Sequence, residues 1–225
     1  MPNTIYRNWN SGLGDTIATL SLLSHLQRQQ NRVVYLSTRQ HGQNLRPKQE
    51  EIMSLMLTHP GDKGIELVDE EPNTDLDGFA VWGALPFATR YQWHLDPQRK
   101  LITYHVDGIS SAADKNPSPE DQRKITEWIT AKGYTPCVLG PHLSLDKCVM
   151  LLANSALFIG VCSGFAHLAH AVRVLPTYIL EYQLPIITCH RNKPHVVCRG
   201  AGHFISQAEN YLTFLRFINS SPHTT

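Results

Sequence analysis

Two turns in this chain carry the residue types that group-transfer chemistry needs. The first, Ser11-Gly12-Leu13-Gly14-Asp15, follows a short apolar run. It sets one carboxylate at the carboxyl edge of a strand, where open α/β sheets bind ligands. A carboxylate there can take a proton from an attacking hydroxyl. Asp15 can equally be an ordinary N-cap of the following helix, and the residues alone leave both readings open. Gly12 and Gly14 give the turn its flexible backbone. It is not a dinucleotide fingerprint, because the third glycine is missing, and not a Walker loop, because no Gly-Lys-Ser/Thr follows.

The second turn, Gly160-Val161-Cys162-Ser163-Gly164-Phe165-Ala166-His167, again runs from strand through glycine to helix. Free N–H groups at a helix start, the Ser163 hydroxyl and the close approach that Gly164 permits suit a phosphate or pyrophosphate. His167 can face the same pocket, or sit with His170 as an ordinary helix residue among alanines. Between the two turns lies the polar loop 108–117, in which Ser110, Ser111 and Lys115 could hold a diphosphate or simply be solvated surface. One more cluster, Cys189, His190, His195 and Cys198, puts four possible metal ligands within ten residues. Two adjacent ligands do not easily converge on one ion, and a strand at 195–198 sends its side chains to both faces, so no metal is expected.

These turns need elements to hold them, and the hydrophobic pattern supplies short β-rich runs alternating with helical stretches, as in a parallel sheet with crossover helices. In the first half the pattern predicts strands at 4–6, 32–36, 65–68 and 79–82, with helices at 16–29 and 49–56. A polar, turn-forming stretch at 96–100 places a boundary between a half at 1–97 and a half at 98–225. The second half predicts strands at 101–106, 136–139, 156–160 and 177–180. Its first helix starts at Ser118-Pro119-Glu120-Asp121 and stops at Gly133. Further helices are expected at 146–154 and 165–172. A last helix begins at Ser206, with Glu209 completing a capping box, and is free to pack back on the first half.

Composition narrows the class. The 225 residues are 42% hydrophobic and 17% charged, with a formal net charge of +1, which excludes disorder and a strongly basic nucleic-acid coat. No apolar run approaches the roughly 20 residues of a membrane span, and the start lacks the character of a secretion signal. Five cysteines without a CxxC pair read as reduced thiols. The expected setting is therefore cytoplasmic.

The order of the features resembles the heptosyltransferases of glycosyltransferase family 9. The likeness rests on Gly14-Asp15 near the start, on Ser110-Ser111-x-x-x-Lys115-x-Pro117, and on Val138-Leu139-Gly140. It continues through the leucine-rich stretch 151–160 into Cys162-Ser163-Gly164-Phe165-Ala166-His167-Leu168-Ala169. The resemblance implies a GT-B architecture: two Rossmann-like lobes with parallel sheets facing a cleft, the acceptor on the first and a nucleoside-diphosphate sugar on the second. It further implies an inverting, metal-independent transfer with no cofactor. Asp15 would be the base, with Gly12 and Gly14 in the acceptor turn, and Ser110, Ser111, Lys115, Ser163 and Gly164 would hold the donor diphosphate. His167 would support the leaving group, while Gly140, Cys162 and Glu181 would lie toward the nucleoside and sugar. The acceptor would be a saccharide hydroxyl or a hydroxymethylated DNA base, the latter held by Arg28, Arg32, Arg39, Arg46, Lys48 and Arg90. Cys162 stands where the family has Asp, and Asn116 stands where it has an aromatic. A non-catalytic nucleotide- or sugar-binding module of the same fold is the alternative.

Overall fold

The computed structural model describes residues 3–8, 11–56, 64–76, 91, 98–108, 116–180 and 195–220. The strand expected at 79–82 lies outside them. The chain divides into two compact units, the first built mainly from Met1–Gln92 together with His167–Arg173, the second from most of the remainder.

The first unit opens with β1 (Ile5–Tyr6), α1 (Leu13–Gln30) and β2 (Val34–Ser37). A small hairpin, β3 (Arg39–Gln40) and β4 (Gln43–Asn44), precedes α2 (Arg46–Met56) and β5 (Ile65–Val68). The sequence pattern gave no sign of the hairpin, which turns at His41 and Gly42 with φ of 48° and 76°. Positive φ at both central residues is what a tight two-residue hairpin requires. The larger strands form a parallel sheet in the order β1-β2-β5. On the other edge of β1, Thr74 bridges Tyr6 in parallel, and the Asn73 side chain accepts from the Ile5 N–H at 2.9 Å. Leu20, Leu23, Leu36 and Ile52 are wholly buried in this unit. The α1 helix begins at Leu13, three residues before the expected start, and ends at Asn31, whose left-handed φ of 47° closes it.

The second unit contains β6 (Leu101–His105), α3 (Pro119–Ala131), β7 (Thr135–Val138), α4 (Leu145–Ala153) and β8 (Ser155–Val161). The chain continues through α5 (Gly164–Ala171), which from His167 onward counts with the first unit, and the second unit then resumes with β9 (Thr177–Leu180), β10 (Val196–Cys198) and α6 (Gly200–Ser220). All five strands are parallel, in the order β10-β9-β8-β6-β7. Every residue of β8 is buried, as expected of a central strand covered on both faces. The core joins Ile102, Ile125, Ile129, Leu157, Ile159 and Phe204. Phe204 meets Trp128 and Tyr178 edge-on, with centroids 5.2 Å away in both pairs.

Helix signals in this half were mostly legible. Ser118 accepts from the Asp121 N–H at 3.1 Å and Gly133 takes the left-handed stop position at φ 77°. The capping box at Ser206 and Glu209 does not form, because α6 begins at Gly200 and both residues lie inside it. Glu209 instead accepts from Trp128 Nε1 at 3.3 Å and pairs with Lys132 at 2.7 Å, so the helix packs within its own unit. Its start is served by the His203 ring, which accepts from the Arg199 N–H at 3.2 Å.

Candidate functional site

Each unit has one place where the strand order reverses. In the first, the chain lays β2 and then β5 on one side of β1 and returns to place Thr74 on the other. In the second, β7 lies on one side of β6, and β8, β9 and β10 follow on the other. Ligands of open α/β sheets bind outside the carboxyl ends of the strands at such a reversal. The turn carrying Asp15 follows β1, and the turn carrying Ser163 follows β8, so both candidate turns sit at the reversal of their own sheet.

Around the first turn the structure corrects one reading of Asp15. Gly12 occupies the N-cap and makes no side-chain cap bond, while Asp15 is the third helical residue. Asp15 is therefore not the cap. Its carboxylate bends back over Gly12, where an added Cβ would stand 2.5 Å from Asp15 Oδ2. Burial pushes the Asp15 carboxyl above the usual aspartate range, opposed by a hydrogen bond to its own backbone N–H and by the Lys48 ammonium. The turn is braced beneath: Thr16 Oγ1 donates to the Gly12 carbonyl at 2.9 Å and receives a bond from Asn8 Nδ2 at 3.2 Å.

Lys48 is the residue that sequence reasoning missed here, having been grouped with scattered cations. Its Nζ donates to the Ser11 carbonyl at 2.5 Å. Nothing local marks it, since the contact joins residues 37 positions apart. Two concavities flank these strand ends. One of about 190 Å³ is lined by Arg7, Asn8, Asp75 and Leu76. A larger one of about 410 Å³ lies by the hairpin and the ends of β2 and β5, with Arg39, Gln40, His41, Gln43, Asp69 and Glu71 among its walls.

At the second turn Cys162, Ser163 and Gly164 are half-buried, and α5 begins at Gly164. The Ser163 Oγ is enclosed and has no hydrogen-bond partner among the described residues. His167 and His170 are buried, with 7% and 1% exposure. Across the reversal, the loop after β6 is pinched at its base by Asn116. The Asn116 Oδ1 accepts from the Gly108 N–H at 2.9 Å, and its Nδ2 lies 3.4 Å from both Asp107 Oδ1 and the Gly108 carbonyl. Asn116 thus ties the two ends of the loop together. Ser110, Ser111 and Lys115 in that loop, and Glu181 after β9, lie outside the described residues. Gly140 is buried just beyond the end of β7, and β6 lies between β7 and β8 in the sheet.

Among the described residues no group of three His, Cys, Asp or Glu could hold a metal ion, and no helix is long and apolar enough to cross a membrane. Cys189 and His190 lie outside them. Cys198 is wholly buried in the second core, and burial pushes its thiol up to about 12, a poor starting point for a zinc thiolate.

No protein-family model and no curated protein matches this sequence. Solved structures do. Heptosyltransferase II of E. coli, an ADP-heptose lipopolysaccharide heptosyltransferase, is 13% identical with a TM-score of 0.59, over 94% of this chain and 99% of its own. The glycosyl transferase of family 9 from Veillonella parvula is 12% identical with a TM-score of 0.52, over 92% of this chain and 88% of its own. TibC, a dodecameric iron-containing heptosyltransferase of enterotoxigenic E. coli solved with ADP-D-β-D-heptose, is 14% identical with a TM-score of 0.58. That match covers 85% of this chain but 60% of TibC, so the chain spans about three fifths of that protein's length. The fold is that of the GT-B heptosyltransferases. At these identities the likeness speaks for the fold, while substrate and residue roles rest on the site itself.

Proposed function

We propose that this protein is a glycosyltransferase that moves a sugar from a nucleoside diphosphate to an acceptor hydroxyl, with inversion and without a metal or a cofactor. The observation that carries the reading is the placement of both turns at the reversal points of their sheets, one with a carboxylate and one with an enclosed serine hydroxyl, without a partner among the described residues, at a helix start. Structures of this fold have been solved with ADP and with ADP-heptose, which makes an adenine nucleotide the first donor to try.

In this reading the acceptor oxygen attacks the anomeric carbon as Asp15 takes its proton. The bond from that carbon to the diphosphate oxygen breaks, and the leaving group departs with the electron pair. A single displacement of this kind inverts the centre. The departing diphosphate gathers negative charge, which fixed donors at Ser163 and Gly164 and the ammonium of Lys115 would neutralise, with Ser110 and Ser111 as further donors. His167, buried in α5 one turn beyond Ser163, would hold that turn in place or meet the leaving group. Cys162, Gly140 and Glu181 would shape the nucleoside and sugar side, and Gly12 and Gly14 the acceptor turn. Domain limits of 1–97 for the acceptor and 98–225 for the donor accompany this division of labour. Among the described residues Cys137, Cys148, Cys162 and Cys198 form no disulfide, which suits a reducing cytoplasmic setting.

A saccharide acceptor is favoured over a DNA base. Two of the basic residues that would grip phosphates are engaged locally, Arg46 with Asp69 and Glu50 and Lys48 with the Ser11 carbonyl, while Arg90 lies outside the described residues. The carboxamides and carboxylates beside the hairpin are the mixed donors and acceptors that sugar hydroxyls need. The alternative, a binding module that retains the fold without turnover, draws on Cys162 in place of a carboxylate.

The test is a thermal-shift screen with ADP, UDP, GDP, dTDP and CMP sugars in the presence of chelator, followed by a transfer assay with the sugar that shifts the midpoint. Binding with hydrolysis or transfer that disappears in Asp15→Asn supports the transferase. Binding without any turnover selects the module, and no shift with any nucleotide sugar overturns both.

A further inference from the structure

The first turn of α2 reaches β2, β5 and the turn that follows β1. Arg46 Nη2 donates to the Leu67 carbonyl in β5 at 3.0 Å and pairs with Asp69 just beyond it at 3.2 Å. Gln49, wholly buried, donates its Nε2 to the carbonyl of Ser37, the last residue of β2, at 3.1 Å. Lys48, between them, donates to the carbonyl of Ser11 in the turn after β1 at 2.5 Å. Three neighbouring side chains on one helix turn therefore fasten β5, β2 and the turn after β1. A lysine normally forfeits much rotamer freedom when it is held in one place, which is why surface lysines rarely settle on a single carbonyl. Here the anchors on either side hold the backbone, and the half-buried stem of Lys48 has a defined direction.

The Ser11 carbonyl that Lys48 holds belongs to the turn that carries Asp15, four residues on. Three influences act on that carboxylate: burial, its own backbone N–H, and Lys48, which among the described residues is the one charge that acts on it. Arg7 and Asp75, the other charged pair near the end of β1, satisfy each other at 2.8 Å. We propose that Lys48 is a positioning residue for Asp15, fixing the turn that carries it through the Ser11 carbonyl and standing as the counter-charge to its carboxylate. A base held near a fixed cation keeps its charged form at neutral pH despite partial burial, and keeps its oxygen in a single place relative to the acceptor. The inference rests on the reading of Asp15 as the base, and the hydrogen-bonded geometry of α2 is independent of it.

The experiment follows the Asp15 carboxyl carbon by NMR titration of the full chain labelled at aspartate, with Asp15→Asn to assign the signal. Lys48→Met removes both bond and charge, Lys48→Gln retains a donor for the Ser11 carbonyl without the charge, and Lys48→Arg retains both. The Asp15 midpoint should rise in Lys48→Met and in Lys48→Gln and return toward the wild-type value in Lys48→Arg. In the transfer assay kcat should fall about tenfold to a hundredfold in Lys48→Met, with donor KM within about twofold. The acid limb of its pH profile should move upward with the NMR midpoint. An unchanged midpoint in both Lys48→Gln and Lys48→Met overturns the proposal even if the variants lose activity. A raised midpoint in a protein whose wild type transfers no sugar supports the Lys48 assignment and sinks the glycosyltransferase reading alone.

Discussion

The carboxylate of Asp15 occupies the space that a side chain on Gly12 would need, its Oδ2 standing 2.5 Å from the position of such a Cβ. Gly12 has φ −67° and ψ 155°, an extended conformation open to any residue. Its glycine is required by the neighbour and not by the backbone. A carboxylate so close to a helix N-terminus gains from the orientation of the first-turn N–H groups, while its partial burial opposes ionisation.

Gly12→Ala tests whether that place matters. The colliding atom is the end of a flexible side chain, so Asp15 can rotate away, and exchanging Gly for Ala at an N-cap costs no more than about 1 kcal/mol. The melting temperature should drop by a few degrees at most while transfer falls nearly as far as in Asp15→Asn. Retained activity in Gly12→Ala would mean that the observed position of the carboxylate is not the working one.

Asp15→Asn should lower kcat by about a hundredfold to ten-thousandfold, the usual share of a general base, with nucleotide affinity nearly unchanged. Its effect on stability has a definite sign. Because burial raises the folded-state pKa of Asp15 above the unfolded value, protonated Asp15 contributes stability in acid that is lost as pH rises through the folded value. Asn should therefore match or exceed the wild type in melting temperature near neutrality. That advantage should vanish below the ordinary aspartate value of about 3.9. Melts of both proteins across this range check the sign, and a wild type that gains stability over the variant on going from acid to neutral pH would contradict it.

The enclosed Ser163 hydroxyl gives a contrasting case. Without a partner among the described residues, it contributes desolvation cost and no compensating bond in the free protein. Ser163→Ala should leave the unliganded melting temperature unchanged or slightly higher. If the hydroxyl serves the donor phosphates, the same change should weaken nucleotide binding by about tenfold or more, since a bond to a charged acceptor contributes about 1.5–3 kcal/mol. Calorimetric titration with ADP reads the affinity.

How much of this was visible in the sequence differs between the two halves. In the second unit β8 and β9 are continuous buried runs, and the helix at 119–131 carries a serine cap, a proline and a stopping glycine, all local signals. The same locality misled at Ser206, where a capping pattern lies inside a helix that started at Gly200, because tertiary burial of Ala201 and Phe204 extends α6 upstream. In the first unit β1, β3 and β4 are each two residues long, too short for any periodicity to register. The turns at Asp15 and Ser163 were legible because glycine after a strand is a local mark. Lys48 was not, because only the sheet order brings the first turn of α2 under the turn after β1.

Two thiols should prove inert in the folded protein. Burial pushes Cys148 up to about 11 and Cys198 up to about 12, so the reactive thiolate is scarce at neutral pH and both are almost inaccessible. Alkylation at pH 8 followed by peptide mapping should leave both unmodified until denaturant is added. Rapid labelling of either without unfolding would show that its core opens locally.

Gly160 links the core of the second unit to its candidate turn. It pairs in register with His105 and Ile179 near the end of β8, two residues before Cys162. A Cβ there would stand 2.5 Å from the Phe158 ring and 3.1 Å from the His105 carbonyl. Phe158 is wholly buried and the carbonyl belongs to the adjacent strand, so neither neighbour can yield as the Asp15 side chain can. Gly160→Ala should therefore cost about 1–3 kcal/mol, the usual penalty for overpacking a close-packed interior, read as a lowered denaturant midpoint. Because the strain is applied where β6 and β8 diverge at the sheet reversal, nucleotide affinity should fall with it. Gly12→Ala, by contrast, should lose turnover with little change in stability. A Gly160→Ala protein as stable as the wild type would mean that β6 and β8 are not packed as tightly as this register requires.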